Sequence, residues 1–303
     1  MQSRSTVHTM AALVVSNCAH SVQLGCTANV MLRAMGILLI GALAGCATNG
    51  ERIDALAAQA HLNRSVLRVG SFNTVIYEQH TSTDDAGPFV IFLDGDGVPW
   101  TGGITPNPDP TTRDPLALKL LTKSPVNGAY VARPCYQEIK SEGCTPNLWT
   151  AGRYSQSVVQ AMKSAIEQIV TRRHPTHLAV VGYSGGGALA VLLAERIPEI
   201  DTVITFGANL DTDAWTTYHG YLPLETSLNP ARSERVHSFR ELHLIGLLDN
   251  VVPPQTREAY FKRFSNAKNL VLKTYTHTCC WLQDWNEVSR TIDREMGEQL
   301  LSR

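Results

Sequence analysis

The sequence predicts one α/β domain built on a mostly parallel sheet, with helices covering both faces. Apolar runs that stop at small or polar residues recur along the chain, as is typical of strands buried in a parallel sheet. Helical patterns lie between them. The 303 residues are 44% hydrophobic, enough for one large core, and they contain no repeat and no second candidate core.

The opening strands are predicted over residues 65–79, where a β-rich segment is interrupted at Gly70-Ser71 and gives the sheet an antiparallel edge. The remaining predicted strands are continuous apolar runs at 88–97, 128–135, 177–184, 201–209, 241–249 and 270–277.

The clearest helix is predicted over residues 155–173, where apolar residues recur at steps of three and four and Pro175 follows the end. Further helices are predicted at 186–196, 254–264 and 285–302. Residues 210–230 form an interval that is too long for a simple connection, and we expect a cap-like insertion over the mouth of the site.

The N-terminal part predicts export. Residues 1–30 are polar and aperiodic, and we interpret them as an extension preceding the true start at Met31 or Met35. Residues 31–45 combine Arg33, a short apolar run and small residues, as a signal peptide does. The apolar run is far shorter than the roughly 20 residues of a membrane-spanning helix.

Leu43-Ala44-Gly45-Cys46 resembles the bacterial lipobox, which implies that Cys46 is lipidated and becomes the first mature residue. The expectation is a protein anchored to the outer membrane and facing the periplasm, with a linker over 46–60 and the folded domain over 61–303. The alternative is an ordinary cleaved signal in which the cysteine is incidental.

Four cysteines follow the signal, and they allow three pairings in an oxidising compartment. Cys135 and Cys144 are close together and flank a polar loop, so we favour that bridge, which would stabilise the fold by about 2.5–3 kcal/mol. Cys279 and Cys280 would then form a vicinal disulfide or remain thiols. A zinc site is the rival, but the paired C-x-x-C spacing is missing.

The charge balance, 26 basic and 27 acidic residues, predicts no nucleic-acid binding. Asp94 and Asp96 could begin a calcium loop, but its sixth position would be Pro99 instead of Gly and its twelfth Thr105 instead of Glu. We therefore expect no metal and no organic cofactor.

Ser184 is the candidate nucleophile. Gly182-Tyr183-Ser184-Gly185-Gly186 fits G-x-S-x-G and lies between a predicted strand and a predicted helix. Glycines on both sides allow the sharp turn that exposes a serine in this context. The alternative is a glycine-rich turn that contains a serine by chance.

A nucleophilic serine needs a base and an acid that orients the base. Asp249 and His277 each follow an apolar run, so they are predicted to lie at the same sheet edge as Ser184. Asp211 is the rival acid. His243 is expected in the core or on a face of the sheet, and His219 in the pocket wall or a structural position.

An oxyanion hole needs two hydrogen-bond donors, each worth about 3–4 kcal/mol. We expect the backbone N–H groups of Gly185 and Asp96, with the Asp96 side chain turned away toward a cation such as Arg133. Aromatic side chains are expected to line an apolar pocket: Trp100, Trp149, Trp215 and Tyr183.

The chain resembles the α/β-hydrolase superfamily, and more narrowly a group of uncharacterised lipoprotein hydrolases from Gram-negative bacteria. The segments that carry the resemblance are "DGDGVPW", "ARPC", "VGYSGGGA", "ANLDTDAW", "SLNPA", "DNVVPP" and "THTCCW". The resemblance implies an α/β-hydrolase fold with Ser184 as nucleophile, His277 as base and Asp249 as acid. Asp94-Gly95 stands where that superfamily often has His-Gly.

The functional hypothesis is a serine hydrolase that cleaves an ester-like bond of a small acyl substrate through an acyl-enzyme. A peptidase or amidase with the same catalytic residues, and a non-catalytic envelope binding protein, are the alternatives.

Overall fold

The computed structural model describes residues 47–80, 87–137 and 141–302. From residue 48 onward they belong to one compact unit, Thr48–Arg303, with a hydrophobic core on each face of one sheet. The predicted extension, the signal peptide and Cys46 lie outside the described residues. No helix in the described ranges is long and apolar enough to cross a membrane.

The central sheet has eight strands in the order β1-β2-β6-β3-β7-β8-β9-β10. Its strands are β1 Asn63–Val69, β2 Phe72–Gln79, β3 Phe89–Leu93, β6 Gly128–Val131, β7 Leu178–Tyr183, β8 Ile200–Phe206, β9 Arg240–Gly246 and β10 Lys268–Leu272. The pairs β1–β2 and β2–β6 are antiparallel and all other pairs are parallel. A small hairpin, β4 Trp100–Thr101 and β5 Thr105–Pro106, stands apart from this sheet.

Helices cover both faces of the sheet. They are α1 Asn49–Gln59, α2 Leu116–Lys123, α3 Gln156–Arg173, α4 Gly185–Ala194, α5 Thr212–His219, α6 Glu258–Arg263 and α7 Trp285–Met296, with 3₁₀ turns at Pro146–Trp149, Pro230–Arg232 and Pro254–Arg257. One core joins α3 and α4 to the sheet, and the other joins α1, α2 and α7 to its opposite face. The predicted fold class is confirmed.

Two predicted helices differ in detail. The pattern at 254–264 is a 3₁₀ turn over Pro254–Arg257 followed by α6. The helix predicted over 285–302 ends at Met296, where Gly297 takes a φ of 72° and caps it. The short helix α2 was not predicted.

The expected linker over 46–60 is instead largely the helix α1. The Thr48 hydroxyl accepts from the Glu51 N–H while the Glu51 carboxylate accepts from the Thr48 N–H, which is a capping box. Ile53 and Ala57 are buried in the core beside α2 and α7. Because α1 buries so narrow an apolar stripe, its periodicity in the sequence is weak, and the predicted domain start at residue 61 was too late.

The cysteine pairing follows the favoured prediction. Cys135 and Cys144 form a disulfide with an S–S distance of 2.05 Å and a Cα–Cα distance of 5.6 Å, both ordinary values. Cys279 and Cys280 are also bonded to each other, across a cis peptide bond. In the described ranges no group of three His, Cys, Asp or Glu residues could hold a metal ion.

Candidate active site

Ser184 lies at the sharp turn between β7 and α4. Its backbone angles, φ 54° and ψ −121°, are ones that residues other than glycine rarely adopt. The turn requires glycine two residues before and two residues after Ser184. A Cβ on Gly182 would lie 2.4 Å from the Gly186 carbonyl oxygen, and one on Gly186 would lie 2.3 Å from the Leu93 carbonyl oxygen. The turn therefore lifts the Ser184 side chain to the carboxyl edge of the sheet.

The structure brings Ser184, His277 and Asp249 together. The Ser184 Oγ lies 3.0 Å from His277 Nε2, and His277 Nδ1 lies 2.9 Å from Asp249 Oδ2. With Nδ1–H donating to Asp249, Nε2 is free to accept from the Ser184 hydroxyl. The geometry is that of a nucleophile, a base and an orienting acid.

The His277 backbone carbonyl is held by two aromatic side chains. Tyr183 Oη donates to it at 3.2 Å and Trp281 Nε1 donates at 2.8 Å. Tyr183 also packs against the imidazole, with ring centroids 5.1 Å apart. These contacts fix the loop after β10 so that the imidazole faces Ser184.

Asp249 is fully enclosed. Its Oδ1 accepts from the N–H groups of Val251 and Val252 at 2.9 and 2.8 Å. Its Oδ2 faces His277 and, at 3.4 Å, the guanidinium of Arg257. Burial lowers the pKa of Arg257 to about 10, against the opposing effect of Asp249.

Arg257 and Gly207, which lie against Asp249, were not predicted from the sequence. Arg257 lies in a charged, amphipathic segment, where an arginine normally faces solvent. Gly207 follows β8 with φ 54°, and a Cβ there would lie 3.1 Å from Asp249 Oδ2 and 3.2 Å from His277 Nδ1. Neither residue type alone signals such a contact, and both contacts join distant parts of the chain.

The rival residues have other partners. Asp211 Oδ1 accepts from the N–H groups of Asp213 and Ala214 and so caps the first turn of α5. His243 is buried between Thr205 and Glu241 in the core. His219 Nε2 lies 2.9 Å from the Val251 carbonyl oxygen, and the His219 ring stacks on Tyr221. His219 therefore has a structural position next to the wall of the pocket.

The Asp96 side chain turns toward cations, as expected. Arg133 Nη2 donates to Oδ1 at 2.7 Å, Arg153 Nη1 donates to Oδ2 at 2.9 Å, and the Tyr154 hydroxyl lies within 2.9 Å of both oxygens. Burial would raise the pKa of Asp96, but the two guanidinium groups outweigh it and hold the pKa below its usual value. The cluster carries one net positive charge beside Ser184.

The two expected oxyanion donors are available. In the described residues neither the Asp96 N–H nor the Gly185 N–H has an internal acceptor. The Asp96 side chain covers Gly185, where a Cβ would lie 1.9 Å from Asp96 Oδ1, so the two donor-bearing segments are in contact.

Asp94 is buried at the end of β3, and its Oδ1 accepts from the Ala117 N–H at 3.3 Å at the start of α2. Its Oδ2 is buried and has no hydrogen-bond partner among the described residues. Burial raises the pKa of Asp94 to about 7, although the surrounding backbone N–H groups oppose the shift.

Ser184 and His277 open into a cavity of about 1280 Å³. The cap segment, residues 210–230, forms one wall with Trp215, Tyr221 and Leu222, and the β4–β5 hairpin forms another. Trp215 Nε1 donates to the Val251 carbonyl at 2.7 Å, which ties the cap segment to the Asp249 loop. Of the aromatic residues expected to line the pocket, Trp100, Trp215 and Tyr183 do, whereas Trp149 is buried in the core.

The sequence was compared with protein-family profiles and with curated proteins. The profile of the FSH1 serine hydrolase family matches residues 136–284, which include all three predicted catalytic residues. No curated protein matches the sequence significantly.

Solved structures share the fold at low identity. The Pyrococcus furiosus esterase Pf2001 is 12% identical, with a TM-score of 0.56 over 79% of this chain and 94% of the esterase. The Pyrococcus horikoshii acylaminoacyl peptidase is 11% identical, with a TM-score of 0.51 over 80% of this chain and 42% of the peptidase. With the sheet order and the turn at Ser184, these similarities show that the chain has the α/β-hydrolase fold.

Proposed function

We propose that the protein is a serine hydrolase that cleaves a carboxylester or thioester of a small acyl substrate through an acyl-enzyme. The observation that carries the proposal is the hydrogen-bonded series from Ser184 Oγ through His277 to Asp249, of which Ser184 and His277 line a large cavity. The match to a serine hydrolase family over the same residues supports it.

In the first step Ser184 Oγ attacks the acyl carbonyl carbon while His277 Nε2 takes the hydroxyl proton. The imidazolium then gives that proton to the leaving oxygen or sulfur as the ester bond breaks, which leaves the acyl group on Ser184. Water attacks the acyl-enzyme by the same path and releases the acid. Asp249 holds the imidazole tautomer and stabilises its charged form.

The developing oxyanion would be bound by the N–H groups of Gly185 and Asp96. Arg133 and Arg153 carry two positive charges and Asp96 one negative charge. The net positive charge of this cluster favours the negative charge that develops on the oxyanion. Arg257 and Gly207 act as positioning residues, because they contact Asp249 and the Asp249–His277 pair without facing the cavity.

The test compares soluble p-nitrophenyl esters and thioesters with aminoacyl p-nitroanilides, using the wild type and the Ser184→Ala, His277→Ala and Asp249→Asn variants. We expect ester or thioester turnover that falls about 10³-fold or more in Ser184→Ala and His277→Ala. Preferential cleavage of the anilides would support the peptidase alternative. A folded wild type that cleaves none of these substrates would support the binding-protein alternative.

We also propose that Cys46 carries a lipid anchor that holds the enzyme on the periplasmic side of the outer membrane. The lipobox-like segment Leu43–Cys46 supports this proposal. The test is the mass of the mature chain purified from membranes of a Gram-negative host, with Cys46→Ser as the control. An acylated chain beginning at residue 46 is expected, and a mature chain that begins elsewhere without lipid would contradict the proposal.

A further inference from the structure

Large apolar side chains are exposed around the mouth of the cavity. Of the eleven such side chains in the described ranges, five line the cavity, and we call them the apolar rim: Trp100, Ile104, Tyr221, Leu222 and Val251. Single exposed apolar residues are ordinary, but a cluster at the opening of a site marks a binding surface.

The most exposed members of the apolar rim come from two separate segments. Ile104 is 85% exposed in the β4–β5 hairpin, just after Gly102 and Gly103, and Leu222 is 87% exposed in the cap segment after α5. Neither side chain belongs to or packs against a hydrophobic core of the described residues. Their exposure therefore has no explanation in the stability of the fold.

The start of the compact unit lies beside the same opening. Asn49 Nδ2 donates to the Thr111 carbonyl at 3.2 Å, and the next residues, Thr112 and Arg113, line the cavity. Cys46 precedes Thr48 by two residues, a reach of at most about 7 Å. The proposed lipid anchor on Cys46 would therefore be joined, two residues later, to the part of the compact unit whose Asn49 bonds next to cavity-lining residues.

The exposed charged residues that line the cavity are Arg113, Asp114 and Glu225, so cations are not in excess at the opening. A surface built to bind anionic lipid by charge would carry an excess of lysine and arginine. This opening offers apolar contact instead, which suits insertion of a few side chains into the interface of any fluid bilayer.

We infer that the apolar rim docks on a lipid bilayer and that the cavity takes the acyl chain of an ester substrate held in that bilayer. The substrate class rests on the proposed serine hydrolase activity, whereas the docking does not. The hairpin with Ile104 and the cap segment with Leu222 enter the interface from two sides. An acyl chain can then pass between them to Ser184 without crossing water.

The docking test uses chain 47–303 with Ser184→Ala, so that binding is measured without turnover. The fraction that floats with phosphatidylcholine vesicles in a density gradient is compared with that of Ile104→Ser, Leu222→Ser and the double variant. We expect the partition coefficient to fall about tenfold for each side chain and to change little between 0.1 and 0.5 M salt. Val236→Ser is the matched control, because Val236 is 80% exposed and lies outside this cavity.

Four results would overturn the docking proposal. The parent chain does not float with the vesicles, or the double variant floats as well as the parent chain. Flotation requires anionic lipid and disappears at 0.5 M salt. Sedimentation velocity shows a dimer that depends on the apolar rim, and the chain does not float. The last result would make a second copy of the chain the occupant of the apolar rim. Unchanged circular dichroism and melting temperature would establish that the variants fold.

The substrate class is tested with the active chain on a long-chain ester embedded in the vesicles and on a soluble acetate ester. We expect the double variant to lower the ratio of embedded to soluble turnover at least tenfold. An unchanged ratio would contradict the substrate class. Flotation without hydrolysis of either ester would reject the proposed hydrolase activity and leave the docking intact.

Discussion

Arg257 and Asp249 form an ion pair in the core, with Arg257 Nη2 lying 3.4 Å from Asp249 Oδ2 and Arg257 Nε donating to the Ala208 carbonyl at 2.7 Å. Both side chains are fully enclosed. The pair joins the segment after β9 to the segment after β8, directly behind His277. The orientation of the candidate base therefore depends on a cation that never reaches the cavity.

Arg257→Met should leave Asp249 as a buried charge without its cation. We expect a loss of about 3–5 kcal/mol in the free energy of unfolding, measured by urea denaturation, because breaking a buried pair strands its partner. Arg263→Met, at an exposed arginine bonded to the Ser233 carbonyl, is the control and should cost less than about 1 kcal/mol. Equal effects of the two variants would show that Arg257 has no special role.

Gly207→Ala should disturb the Asp249–His277 contact. Its Cβ would stand within 3.2 Å of both side chains, at a φ of 54° that costs about 1–2 kcal/mol for a residue with a Cβ. We expect ester turnover, as kcat, to fall at least tenfold. Gly297→Ala matches the positive φ at 72° but has nothing within 4 Å, so it should lose similar stability and keep its turnover. Equal turnover in the two variants would argue against the positioning role.

Asp94 should make stability depend on pH. Its folded pKa of about 7 lies above the ordinary value of 3.8, so its contribution is fully present below about pH 4 and is lost as pH rises through 7. Asp94→Asn removes this titration. Between pH 4 and 8 the free energy of unfolding of the variant should therefore rise by roughly 4 kcal/mol relative to that of the wild type, as measured by urea denaturation.

Glu199→Gln, at an exposed carboxylate, is the control for Asp94 and is measured over the same range. A constant difference between Asp94→Asn and the wild type would mean that Asp94 is ionised throughout, with its buried oxygen satisfied by solvent.

Glu241 should lower the stability of the protein as the pH falls, whereas Asp94 lowers it as the pH rises. Burial alone would raise its pKa, but contacts with His243, Arg235 and Tyr260 lower it to about 2. Its contribution is therefore present above about pH 4.5 and is lost as pH falls through 2. Glu241→Gln should abolish that part of the acid destabilisation, and an unchanged slope of stability against pH below 4.5 would contradict this assignment.

Much of the fold could be predicted from the sequence because buried parallel strands are nearly continuous apolar runs, and such runs are visible without any neighbour. The same property located Ser184, Asp249 and His277 at strand ends, where the structure finds them in hydrogen-bond contact. Their catalytic role stays a prediction. The helix α1 was missed because only a narrow part of its surface is buried.

Other parts of the site depend on contacts between distant segments. Arg257 is an ordinary surface residue by type, and only its reach to the Ala208 carbonyl, 49 residues earlier, makes it part of the site. Gly207 is one glycine among 22. Its importance comes from side chains that approach it from two later loops, which no local pattern records.

The central claim is that Ser184 is an activated nucleophile, and covalent labelling tests it most directly. Chain 47–303 and its Ser184→Ala variant are treated with a fluorophosphonate, and the intact masses are compared. We predict a single adduct on the wild type and none on the variant. A folded wild type that gains no mass, or a variant that gains the same mass, would contradict the claim.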